Sequence, residues 1–132
     1  VLGDNFFGGN PLQDINFKKF SENKGSIIFT KEVPNPEEFG VAEVDDGGEV
    51  FFIDEKPENP ISNLAVVGLY VFDSSAMGKI KKLSPSKRGE YEITDLINLY
   101  INEKKCKNVE ITGWWVDAGT PERIIELENL LT

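Results

Sequence analysis

Histidine is absent from this chain. That removes Ser-His and Cys-His triads, histidine metal ligands and imidazole acid–base chemistry together. Any catalysis must fall to carboxylates, Lys, Arg, a metal ion or positioning. Cysteine occurs once, as Cys106, so no intramolecular disulfide can form and a reducing, cytoplasmic setting is expected. Lys104, Lys105 and Lys107 surround it. Two readings stay open, a thiol of lowered pKa or an incidental residue between a helix and a strand. Long apolar runs are missing and no signal peptide is visible, so no membrane partner is expected. Positive charge is scarce, with 14 Lys+Arg against 23 Asp+Glu and a formal charge of −9. Nucleic acid is therefore not an expected partner, since phosphate backbones need basic clusters. A small phosphorylated ligand is still compatible, because a few placed cations and a metal ion offset a local field.

What is present suits one domain over residues 1–132. Val1 to Asn5 reads as the end of a strand. Leu12, Ile15 and Phe20 predict a helix across 11–23, stopped by Gly25. The run Ile27-Ile28-Phe29 marks a strand over 26–33, broken by Pro34-Asn35-Pro36. Residues 40–45 and 49–55 flank Asp46-Gly47-Gly48 as a β-hairpin. A β-rich run over 64–72 predicts a central strand, followed by a short helix over 74–83. A firmer helix spans 92–102, with Ile93, Leu96, Ile97, Tyr100 and Ile101 inward. Short strands are expected at 109–112 and 114–117. Thr120-Pro121 then opens a last helix as N-cap and first-turn proline. Interleaved strands and helices give an α/β class, a mixed sheet with flanking helices and an inserted β-hairpin.

Two aspartates stand out. Asp4 and Asp117 each follow a short apolar stretch and precede turn residues, Asn5 in one case and Ala118-Gly119 in the other. Open α/β sheets hold ligands beyond the carboxyl ends of their strands. Two carboxylates there could share one Mg²⁺, which takes few protein oxygens and fills its octahedron with water and phosphate. Turn formers or helix caps would look the same. Glu55-Lys56, just before Pro57, can aim a carboxylate at hydroxyls and an ammonium at a phosphate, or be a solvated strand end. Arg88, beside Gly89 in the loop 86–90, can present a planar fork to phosphate, as can any exposed basic loop. Gly40 and Gly68 either let a ligand approach the backbone or serve packing. Trp114 and Trp115 suit a sugar-stacking platform or a core.

Taken together and in order, several segments resemble the sugar-1-phosphate nucleotidyltransferases, closest to the glucose-1-phosphate thymidylyltransferases. They are Leu2-Gly3-Asp4-Asn5, the run from Asn35 to Val41, Asp54-Glu55-Lys56-Pro57, the run from Ser62 to Tyr70, the run from Arg88 to Asp95, and Trp115 to Thr120. The resemblance covers essentially the whole chain and implies a partial Rossmann-like nucleotidyltransferase fold. It implies that Asp4 and Asp117 hold a catalytic Mg²⁺. It implies that Asn5, the Gly40 backbone, Glu55 and the Val66 backbone line the sugar site. Lys56 and Arg88 would face the sugar phosphate, with Tyr70 nearby. The implied partners are a sugar-1-phosphate and a nucleoside triphosphate. The implied reaction condenses glucose-1-phosphate with dTTP to dTDP-glucose and pyrophosphate, for nucleotide-sugar and polysaccharide biosynthesis. Its nucleophile is an ionised phosphate, which agrees with the lack of histidine.

The family's Gly-Gly-x-Gly-Thr-Arg loop and the lysine after it are not among these residues. The expectation is therefore a sugar-phosphate and metal-binding portion, with the nucleotide-binding segment absent and the chain alone inactive. The alternatives are a non-catalytic sugar-phosphate or nucleotide-sugar binding module, or a transferase using UTP, GTP, ATP or another sugar phosphate. Unpaired edges at Val1-Leu2 and Ile27-Ile28-Phe29 would then favour self-association.

Overall fold

The computed structural model describes residues 1–85, 89 and 92–132. The element order is β1 (Asn5–Phe7), α1 (Phe17–Asn23), β2 (Ser26–Glu32), a 3₁₀ turn (Pro36–Glu38), β3 (Gly40–Val44), β4 (Val50–Glu55) and β5 (Leu64–Phe72). It continues with α2 (Ala76–Ile80), α3 (Ile93–Asn102), β6 (Cys106–Glu110), β7 (Trp115–Asp117) and α4 (Pro121–Leu131). Five strands form one mixed sheet in the order β4-β3-β5-β2-β6. Within it β2 and β6 run parallel and the other neighbours antiparallel. β1 and β7 make a separate two-stranded antiparallel ribbon. This is the mixed α/β arrangement expected, with the β3–β4 hairpin forming one edge of the main sheet.

Side-chain alternation along β2 builds a core on each sheet face. Ile28 packs with Ala42, Val50, Ile53 and the α3 residues Leu96, Ile97 and Tyr100. Ile27 and Phe29 point the other way, joining Val67, Leu69 and Ile111 beneath Leu12, Ile15, Phe20 and Trp115. The run Ile27-Ile28-Phe29 is thus buried, at 8%, 0% and 0% exposure, and is no open edge. That overturns the exposure expected for it, and the reason is topological: β2 has β5 on one side and β6 on the other. Val1 and Leu2 do stand exposed.

Several boundaries differ from the sequence pattern. The helix expected over 11–23 occupies only Phe17–Asn23. Asn side chains compete with helical bonding before it: Asn10 Oδ1 accepts from Leu12 N, and Asn16 Oδ1 caps the helix at Lys19 N. β6 begins at Cys106, earlier than expected, because Ser26 pairs with Cys106 at the parallel edge of β2. The Cys106 side chain is buried, and burial pushes its thiol above the usual range, which removes the reactive reading. The first strand starts at Asn5 instead of ending there: Leu2 gives its N–H to Gly68 O, but its C=O turns back to accept from Asn5 N at 3.3 Å. Among the described residues no helix is long and apolar enough to cross a membrane.

Asp73, just past β5, pins three elements. Its carboxylate accepts from Gly25 N at 2.7 Å, from Tyr100 Oη at 2.8 Å and from Ser75 N at 3.0 Å. Partial burial works against the ionised form, but these bonds and one from the Ser75 hydroxyl outweigh it. They hold the group at about 2, below its usual 3.8. A carboxyl lowered on folding stabilises the fold above its unfolded value, and that contribution fades as pH falls through the folded one. Urea midpoints should therefore drop between about pH 4 and pH 2, and Asp73→Asn should flatten that slope. Tyr100→Phe should cost about 1–3 kcal/mol at neutral pH by removing a hydroxyl bond to a charged acceptor.

Candidate functional site

The β1–β7 ribbon brings the two aspartates together. Asn5 lies opposite Asp117 in its register, and Asp4 O accepts from Ala118 N at 2.7 Å. Asp4 therefore sits at the amino end of β1 and Asp117 at the carboxyl end of β7, which antiparallel pairing makes the same end. The sequence pattern had put Asp4 at a strand's carboxyl end. Gly119 bridges the pair: a Cβ built on it would lie 3.1 Å from Asp117 Oδ1 and 3.5 Å from Asp4 Oδ2. Burial, then the Asp4 charge, raises Asp117 above the usual carboxylate range, although Arg123 and the Gly119 N–H act the other way. Two like charges brought this close favour protonation of one, and a cation seated between them would relieve the repulsion. Among the described residues no cluster of three or more His, Cys, Asp or Glu could hold a metal. A hard ion at this pair would thus take two carboxylates and complete its shell from water and phosphate, which fits Mg²⁺.

Asn5 fixes this corner to the main sheet. Its Oδ1 accepts from Gly68 N at 2.9 Å and from Trp115 Nε1 at 2.7 Å, and its Nδ2 donates to Asp4 Oδ1 at 2.9 Å. Trp115 leans on the Phe39 ring at 5.1 Å between centroids. Trp114 packs on Gly8, where a Cβ would come 2.3 Å from the indole nitrogen. Neither tryptophan lines the cavity described next, so the stacking platform considered for them is not formed there.

That cavity, of about 590 Å³, opens between the aspartates, the β3–β4 hairpin and α3. Asp4, Asn5, Gly40, Glu55, Lys56, Val66, Gly68, Tyr70 and Asp117, all singled out from the sequence, line it. Gly40 faces Glu55 across the hairpin, close enough that a Cβ would meet Glu55 Oε2 at 3.1 Å. Lys56 follows with φ 46°, the left-handed region a non-glycine seldom adopts. Its N–H donates to Phe39 O at 3.0 Å, which ties this turn to the 3₁₀ segment. Burial, with the Glu55 charge adding to it, pushes the Tyr70 hydroxyl up to about 12. Tyr70 is therefore neutral and can donate a hydrogen bond. Arg88 and its neighbours 86, 87, 90 and 91 lie outside the described residues. Sequence reasoning missed Arg123, which also lines the cavity and reaches Asp117 Oδ2 at 3.3 Å. One signal was available: a cation in the first turn of a helix, against the dipole's preference.

Known proteins share this sequence and shape. A glucose-1-phosphate thymidylyltransferase of Xanthomonas campestris pv. campestris is 42% identical over 134 residues, covering 99% of this chain and 45% of that protein. The low-salt glycan biosynthesis nucleotidyltransferase of Haloferax volcanii is 40% identical over 131 residues, covering 98% of this chain and 36% of that protein. A Bacillus anthracis protein, described as a glucose-1-phosphate thymidylyltransferase and crystallised with sucrose, superposes with a TM-score of 0.86. It is 37% identical, and the match covers 98% of this chain and 52% of that one. The chain thus spans about half or less of the length of these relatives. The family model for nucleotidyl transferases matches residues 1–132, and with these relatives in agreement the chain belongs to the nucleotidyl transferase family.

Proposed function

We propose that this chain forms the sugar-phosphate and metal-binding part of a Mg²⁺-dependent glucose-1-phosphate thymidylyltransferase, which makes dTDP-glucose and pyrophosphate from glucose-1-phosphate and dTTP. One observation carries the reading: a single cavity gathers two adjacent carboxylates, a third carboxylate beside a lysine, and a neutral tyrosine. The thymidine base is taken from the names of the relatives, since no residue of this cavity is proposed to touch it.

The division of labour follows from the chemistry of each group. Glu55 accepts from sugar hydroxyls, and the Gly40 and Val66 backbones border the ring. Lys56 sets its ammonium against the sugar phosphate as a charge-assisted donor, and Tyr70 supplies a neutral hydroxyl. Asp4 and Asp117 hold the metal, with Asn5 fixing the direction of Asp4. Mg²⁺, when bound, supplies charge neutralisation on the reacting phosphates. No side chain removes a proton from the nucleophile, because a phosphate monoester oxygen is already ionised near neutral pH. The protein's contribution is alignment and fixed charge. The exposed α4 residues Ile124, Ile125, Leu130 and Leu131 support self-association.

Lys56→Ala should weaken glucose-1-phosphate binding about tenfold or more, by the loss of one charged hydrogen bond. Calorimetry measures this, and an unchanged affinity would take Lys56 out of the site. Gly119→Ala puts a methyl group over both aspartates and should lower Mn²⁺ affinity while leaving the melting temperature nearly unchanged. Equal Mn²⁺ binding by the two chains would argue against an ion at this pair. A polypeptide of these 132 residues should release no pyrophosphate from dTTP and glucose-1-phosphate, since it has no glycine-rich loop to orient the triphosphate. Sugar-phosphate-dependent release abolished by Asp117→Asn would overturn that expectation.

A further inference from the structure

Arg123 sits three residues after Thr120, the N-cap of α4. A cation in that first turn opposes the helix dipole, so helix stability does not account for it. Helical side chains lean toward the N-terminus, which carries this one back to Asp117 at the end of β7. Its guanidinium stands 4.7 Å over the Phe39 ring. One nitrogen lies 3.3 Å from Asp117 Oδ2 and another 3.8 Å from Glu38 Oε1. The side chain is only 19% exposed. An aromatic face beneath and a carboxylate on each of two nitrogens define one held position, unlike that of a solvated surface arginine.

The two oxygens of Asp117 are therefore used differently. Oδ1 accepts the Gly119 N–H and lies on the side of Gly119 that Asp4 Oδ2 also faces. Oδ2 is engaged by Arg123. A divalent ion drawn to this pair meets a carboxylate already matched by an internal cation. We propose that Arg123 competes with the divalent ion for Asp117, and that a phosphate entering the cavity takes the guanidinium in the carboxylate's place. The planar fork that fits a carboxylate fits a phosphate equally well, and Arg123 lines the same cavity as Lys56. Free ion then binds weakly, phosphate frees Asp117 for it, and ion and phosphate strengthen each other reciprocally. This inference rests on the metal reading of Asp4 and Asp117.

The test is calorimetric titration of Mn²⁺ into the chain, with and without glucose-1-phosphate, each variant checked by thermal melting. Arg123→Met keeps an apolar stem on Phe39, and Arg123→Ala removes it. Without sugar phosphate both should bind Mn²⁺ about twofold to fivefold more tightly than the parent, the range expected for releasing a partly screened ion pair. The gain in Mn²⁺ affinity that glucose-1-phosphate brings to the parent should shrink in both, and Arg123→Lys should lie between. Unchanged or weaker Mn²⁺ binding by a well-folded Arg123→Met chain would overturn the proposal, as would undiminished coupling. Asp117→Asn separates the two failures. If it abolishes Mn²⁺ binding while Arg123→Met changes nothing, only the competition is wrong. If it binds Mn²⁺ like the parent, the metal reading falls and the competition with it.

Discussion

The carboxamide of Asn5 is the joint on which the site depends. Its oxygen takes the Gly68 N–H from the main sheet and the Trp115 indole from the ribbon, while its nitrogen directs Asp4. A partly buried amide with its acceptor doubly used has little freedom to turn. The sheet prepares this in advance. Between Ile28 and Thr30 of β2 the partner residue on β5 moves from Tyr70 to Val66, so β5 advances further than β2. In that irregular stretch Gly68 gives its N–H to Asn5 and its C=O to Leu2 N. A side chain at Gly68 would stand 2.6 Å from Asn5 Nδ2, so the glycine is required by the close approach.

Much of the fold was legible because its signals are local. Continuous apolar and β-rich runs marked the strands, Asp46-Gly47-Gly48 marked the hairpin, and Thr120-Pro121 marked the start of α4. Asp45 Oδ1 then closes that hairpin turn onto Gly47 N and Glu49 N, a short-range bond readable from composition. What stayed hidden depends on distant partners. Ile27-Ile28-Phe29 announced a strand but not what buries it, and its partner on β6 arrives eighty residues later in the chain (Ser26 pairs with Cys106). The start of β1 was misjudged for the same reason, since the strand it pairs with is β7. Asp4 and Asp117 could be paired from the family pattern, whereas spacing alone left a shared ion and two turn formers both open. Arg123 lies outside that pattern, and its meaning appears only once Phe39, Glu38 and Asp117 surround it.

Net charge does not by itself describe the cavity. The chain carries −9 overall, and Lys56 and Arg123 line a space that Asp4, Glu38, Glu55, Glu92 and Asp117 also line. Local fields are set by the few charges within a Debye length, about 10 Å at moderate salt, and by how far burial strips their hydration. Asp117 shows the balance. Burial and Asp4 push its proton affinity up, while Arg123 and a backbone N–H hold it down. The balance leaves its carboxyl above the usual carboxylate range.

The residue types in the cavity also fit a reaction without proton abstraction. On the proposed reading the nucleophile arrives ionised, so a side chain that titrates near neutral pH would add a variable charge with no task. Tyr70, held neutral up to about 12, keeps one protonation state across the physiological range. Catalysis by such a set depends on distances staying fixed, because alignment and preorganised charge lose value quickly when the groups move. The Asn5 joint, the left-handed turn that turns Lys56 out of the hairpin, and the Phe39–Trp115 contact behind Arg123 all serve that end. On that reading the chain's lack of histidine and the fixed geometry of this corner answer one requirement: a charged ligand is to be held in place, and nothing needs to take its proton.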